Sequence, residues 1–78
     1  MSPDKELENQ DRANLLAWAL EKLPGNQRVA FTLSKYNELN YEEISSIMNA
    51  SIASVESLIH RAKTNLRKIL SSHYREHL

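Results

Sequence analysis

Residues 39–63 read LNYEEISSIMNASIASVESLIHRAK, and the organisation of the whole chain turns on how this stretch folds. Asn40, followed three residues later by Glu43, is a capping-box arrangement with Asn in place of the usual Ser or Thr. It predicts a short helix from Tyr41 to Met48, with Ile44, Ile47 and Met48 facing inward. Asn49 suits the left-handed conformation that ends a helix, a role more often filled by glycine. Ser51 is the next N-cap, and Ser54 stands at the third helical position after it. A short helix, a tight turn and a longer amphipathic helix together make a helix-turn-helix, expected to span residues 41–70.

The longer helix has the clearest pattern in the chain. Ile52, Val55, Ile59, Ala62, Leu66 and Ile69 alternate at spacings of three and four, which predicts a one-sided buried ridge. At about 100° per residue, the opposite side carries Ala53, Ser54, Ser57, Arg61, Thr64 and Lys68. Leu58 and His60 flank that side, and Glu56, Lys63 and Arg67 lie nearer the ridge. Residues 71–78, SSHYREHL, are expected to fray.

Upstream, Ser2-Pro3-Asp4 is a helix start, with Ser as N-cap and Pro at the first position. The first helix is expected to reach about Lys22, with Leu16, Ala19, Leu20 and Leu23 on one stripe widened by Leu15 and Trp18. Leu23-Pro24-Gly25 breaks it. A second helix follows from about Asn26 to Tyr36, with Val29, Ala30, Leu33 and Tyr36 on one face; Phe31 falls off that face and packs on another helix. Asn37 to Asn40 is a short polar connection. The expected fold is therefore all-α: four helices in one domain, residues 1–78.

Composition sets the outer bounds. A chain of 78 residues with 41% hydrophobic residues can bury one thin core. One Gly and two Pro leave little punctuation, which favours few, long helices. With no cysteine, disulfides and thiolate metal sites are excluded. The start lacks a basic region followed by an apolar one, and no stretch is apolar enough to span a bilayer, so a soluble, cytoplasmic protein is expected. Net charge is zero but uneven: residues 1–49 hold five Lys/Arg and eight Asp/Glu, residues 50–78 five and two. The positive part coincides with the last helix. Basic residues late in a helix also suit its dipole, so the asymmetry has a purely structural reading as well.

No Gly-rich phosphate loop and no evident carboxylate pair argue for catalysis. His73 and His77 have a spacing that can hold a metal but lack a third ligand, so no cofactor, metal or small-molecule substrate is expected. A protruding helix N-terminus does suit DNA, because its free amides and dipole attract phosphate and its diameter fits the major groove. Ser51, Ser54 and Ser57 permit close approach, Arg61 can reach a guanine bidentately, and Lys63, Arg67 and Lys68 can hold phosphates. Helix spacing alone leaves open a helical interaction domain that binds no nucleic acid.

From Leu23 onward the chain resembles region 4 of bacterial RNA polymerase sigma factors, most closely the extracytoplasmic-function class. The resemblance is carried by LPGNQRVAFTL and LNYEEISSIMNASIASVESLIHRAKTNLRKIL, and within them by Gln27-Arg28, the Tyr41-Glu42-Glu43-Ile44 entry and the Ile59-to-Lys63 run. It implies a domain that binds the −35 promoter element and docks on the β flap of the polymerase core. Carried over position by position, it implies that Glu56, Ser57, His60 and Arg61 face the bases. Arg28, Tyr41, Ser51, Ser54 and Lys63 would hold the sugar-phosphate backbone. Tyr41 also reads as a half-buried ring, Arg28 and His60 as plain surface residues, and Glu56 as the partner of His60 or a lysine.

The chain departs from the family pattern at Asn49, where Gly is usual, at Glu56, where Lys or Arg is common, and at Leu58, where Arg is common. A carboxylate early in the helix suits the dipole and can accept a bond from the amino group of cytosine. Leu58 can touch a thymine methyl or pack on a protein or helix. Both changes reduce attraction to phosphate and imply weak binding in isolation. The resemblance also implies an N-terminal region that binds the polymerase clamp and opens the −10 element, to which nothing here corresponds. The chain is thus expected to be an excised C-terminal domain or the product of a truncated gene. Two other readings compete: the helix-turn-helix of response regulators, and an interaction module covered by an anti-sigma factor through Leu58 and an exposed Phe31.

Overall fold

The computed structural model describes the backbone of residues 3–76 and the side chains of residues 10–75. Ser2, the expected first N-cap, and His77 lie outside the described residues. Four helices follow in order: α1 (Pro3–Glu21), α2 (Gly25–Lys35), α3 (Tyr41–Met48) and α4 (Ile52–Glu76). Among the described residues there is no strand. The helical fold, and the helix-turn-helix within it, are those the spacing predicts.

Local chemistry sets the joints. Pro24, at φ −53° and ψ 145°, cannot continue α1 but hands its carbonyl to the Arg28 N–H at 3.0 Å, which opens α2. After α2 the chain turns back through Glu38 at φ 55°, a conformation that costs a non-glycine residue about 1 kcal/mol. The turn lets the Leu39 N–H reach the Leu33 carbonyl at 3.1 Å. Both halves of the α3 capping box are present. The Asn40 side chain accepts from the Glu43 N–H at 2.8 Å, and Glu43 accepts from the Asn40 N–H at 3.0 Å.

The core has two parts joined by α4. One gathers Ala30 of α2, Ile44 of α3, and Val55 and Ile59 of α4, flanked by Leu33, Leu39, Tyr41, Met48, Ala50 and Leu58. The other gathers Ala19, Leu20, Leu23, Phe31, Ala62 and Leu66, flanked by Leu16, Ile69 and Leu70. Val55, Ile59, Ala62 and Leu66 are buried, as the ridge in the sequence requires. Ile52, at the ridge's start, is 43% exposed.

Four expectations need correction. Val29 on α2 and its C-cap Tyr36 are exposed, whereas Gln27, Ala30 and Phe31 are buried. This helix touches both core parts, Ala30 facing one and Phe31 the other, so its buried face is not the simple apolar stripe. Phe31 packs on neighbouring helices as expected, but at 7% exposure it is not the open partner-binding residue also envisaged. On α3, Ile47 is 60% exposed, because so short a helix meets α2 and α4 only through the face of Ile44 and Met48. Lastly, α4 continues past Leu70 to Glu76, where the sequence predicts a frayed tail from residue 71 on. There the Trp18 ring of α1 packs against His73 at 5.3 Å between centroids, with Lys22 Nζ 5.4 Å from the same indole. These contacts give the added turns of α4 a surface to rest on.

Candidate nucleic-acid interface

The turn before α4 determines how the helix is presented. Asn49 is left-handed, at φ 51° and ψ 48°, where glycine is usual in the resembling family. Asn reaches this region more readily than most residues. The Ala50 N–H bonds the Ser45 carbonyl at 3.0 Å, and the Ser45 hydroxyl donates to the Ala50 carbonyl. Ser51 Oγ accepts from the Ser54 N–H at 3.0 Å, completing the N-cap. The start of α4 is thus held by backbone and side chain together.

Burial of the ridge leaves Glu56, Ser57, His60 and Arg61 exposed on the first turns of α4. Ser51 and Ser54 are exposed at its N-terminus, but their hydroxyls differ in use. Ser51 donates its proton to Ser54 Oγ at 2.9 Å, which leaves the Ser54 proton as the one available to an incoming acceptor. Glu56 makes no ion pair with His60 or a lysine among the described residues, so its carboxylate is open to solvent.

Arg61 and Lys63 lie on different flanks. Arg61 borders grooves shared with Ser54, Ser57, Leu58, His60 and, from α2, Asn26 and Gln27. Lys63 borders a groove on the other flank with Lys35 of α2 and Arg67. Two residues along a helix differ by about 200°, so one helix carries a cation on each side. Arg28 is exposed on the first turns of α2, while Tyr41 is half-buried against Ile44 and its neighbours. Leu58 is half-buried and packs against the same cluster, at the position where the resemblance makes Arg common.

The sequence assigns no site role to Asn26, Gln27, Lys35 or Asn65, although Gln27 belongs to the resembling stretch. None lies in the helix-turn-helix pattern's polar stripe, and α2 reaches the site only through tertiary packing. Among the described residues, no group of three or more His, Asp or Glu side chains is placed to hold a metal, and no helix is long and apolar enough to cross a membrane.

A capped short helix, a left-handed Asn and a long helix with an open polar and basic outer face define a helix-turn-helix domain. Residues 14–66 match the family model for sigma-70, region 4. The chain is 42% identical over 55 residues to the ECF RNA polymerase sigma factor SigM of Bacillus subtilis, covering 70% of this chain and 34% of that protein. It is 32% identical over 79 residues to the RNA polymerase sigma-H factor of Pseudomonas aeruginosa, covering 92% of this chain and 41% of that one. With the ECF RNA polymerase sigma-E factor of Escherichia coli it shares 32% identity over 62 residues, covering 80% and 32%. The chain therefore belongs to the sigma-70 region 4 family, in the extracytoplasmic-function class. It spans about a third to two-fifths of the length of these relatives.

Proposed function

We propose that this domain recognises the −35 promoter element as the C-terminal part of a sigma factor, and docks on RNA polymerase to direct transcription initiation. The observation that carries this is the exposure of Ser57, His60 and Arg61 on the first turns of α4, opposite a buried ridge, with Glu56 exposed at its flank. Inserted in the major groove, Arg61 would bond a guanine edge and Glu56 the amino group of a cytosine, with Ser57 and His60 beside them. Ser54 and Lys63 would hold phosphates on the two flanks, and Arg28 and Tyr41 would extend that grip from α2 and α3. Ser51 acts mainly through Ser54, whose amide and hydroxyl it engages.

The groove of Leu16, Phe31, Leu66 and Leu70 supports docking on the β flap, since it is an apolar channel rimmed by Lys35, Lys63 and Arg67. An anti-sigma factor would compete for the same channel, which Phe31 lines from within the core. The domain would work in the cytoplasm, without catalysis or cofactor.

The test is fluorescence anisotropy with a duplex selected by this chain from a randomised pool, against a scrambled duplex. The selected duplex should bind more tightly, binding should weaken as salt rises, and Arg61→Ala should cost about 1–3 kcal/mol on the selected duplex only. Equal affinity for both duplexes, or an unchanged Arg61→Ala, would contradict the proposal.

A further inference from the structure

α2 and α4 meet through Ala30 and Phe31 on one side and Val55, Ile59, Ala62 and Leu66 on the other. Apolar contacts of this kind are non-directional. Their packing seats the two helices, but a directional bond sets the rotation of one about its axis more sharply than apolar contact alone. A different contact supplies direction at this interface. Gln27 is the one buried polar side chain among the described residues, at 9% exposure. Its Oε1 accepts a hydrogen bond from Asn65 Nδ2 at 2.8 Å, across 38 positions of the chain. With His73 set aside, the other side-chain hydrogen bonds among the described residues link positions three to five apart.

The location of this bond matters as much as its direction. Asn65 stands about one turn after Arg61 on α4, and Gln27 directly precedes Arg28 on α2. Gln27, His60, Arg61, Thr64 and Asn65 line one concavity. We propose that the Gln27–Asn65 bond positions the base-reading side of α4 against α2, so that both residues act in DNA recognition through Arg61 and Arg28. This rests on the DNA-binding function proposed above. A buried amide favours the one geometry in which it is paired, because other rotations of α4 leave it unsatisfied. The bond therefore sets the distance between a cation on α2 and a cation on α4 that would meet different parts of one duplex. Neither amide needs to touch DNA.

The test separates positioning from simple stabilisation. In the double variant Gln27→Met/Asn65→Leu both amides are removed together, so no polar group is left unpaired and the fold should survive with a similar melting temperature. Residual dipolar couplings, measured without DNA on the 78-residue chain, should show α4 reoriented relative to α2. Affinity for the selected duplex should fall about tenfold while affinity for the scrambled duplex stays within about twofold, because misplaced groups lose readout before they lose phosphate attraction. The exchanged pair Gln27→Asn/Asn65→Gln, which keeps the combined side-chain length, should restore most of the discrimination. In the wild type, the Asn65 side-chain amide protons should exchange slowly with solvent.

An unchanged helix orientation, discrimination equal to that of the wild type, or rapid exchange of the Asn65 amide would each overturn the inference. So would a double variant that fails to fold, since the bond would then serve stability. Failure of the DNA-binding proposal itself would show separately, as a wild type that does not distinguish the two duplexes.

Discussion

The two halves of α4 are held in different ways. Its first half packs on Ile44 through its own Val55, both 0% exposed, and begins at a joint closed by Asn49, Ser45, Ser51 and Ser54. Its second half lies on α1 through Leu66, Ile69 and Leu70, two of them only half-buried, and ends against a Trp18 that is 41% exposed. The same helix is thus rigidly seated where side chains must meet a duplex and shallowly seated where an apolar channel stays open. Sites that read geometry need that first kind of support, because a small displacement of a reading group forfeits its bonds.

The contrast can be broken by substitution. Ile44→Ala should produce the largest effect, a loss of about 2–5 kcal/mol. A domain of this size has a total of about 4–12 kcal/mol, so its thermal transition should fall steeply. Ile69→Ala, made on the other half, should lose clearly less. Equal losses in chemical denaturation would show that the two halves are seated alike. Asn40→Ala, which removes one arm of the capping box, should cost about 1 kcal/mol, seen as a lower denaturant midpoint with unchanged slope. Lys63→Ala should weaken selected and scrambled duplexes alike and reduce the salt slope by about one. Loss of discrimination in that variant would move Lys63 from phosphate to base contact. Trp18→Ala should have the smallest effect, about 0.5–1 kcal/mol, with amide exchange speeding up near His73 and duplex affinity unchanged.

What could be read from the sequence was what is encoded locally. Asn40 and Glu43 lie three residues apart, Asn49 has a conformational preference of its own, and Ser51 meets Ser54 within one turn. The ridge from Val55 to Leu66 was legible because α4 buries a single face. The exposure of Glu56, Ser57, His60 and Arg61 then follows from helix geometry. The buried face of α2 was not legible, because that helix divides itself between two parts of the core and Phe31 answers to one while Ala30 answers to the other. The final turns of α4 depend on Trp18, which is far away in sequence, and no local propensity reports that contact. The Gln27–Asn65 bond was invisible for the same reason, as was the groove that Lys35 and Lys63 share.

The most direct test is to map, by amide and side-chain NMR shifts, where a selected duplex touches the 78-residue chain. Perturbations should concentrate on Ser54, Glu56, Ser57, His60, Arg61 and Lys63, with smaller ones at Arg28 and Tyr41, and leave Trp18, His73 and Tyr74 unmoved. Shifts centred on the Trp18–His73 end, with the Ser57–Arg61 side silent, would contradict the assignment of α4 as the helix that reads DNA.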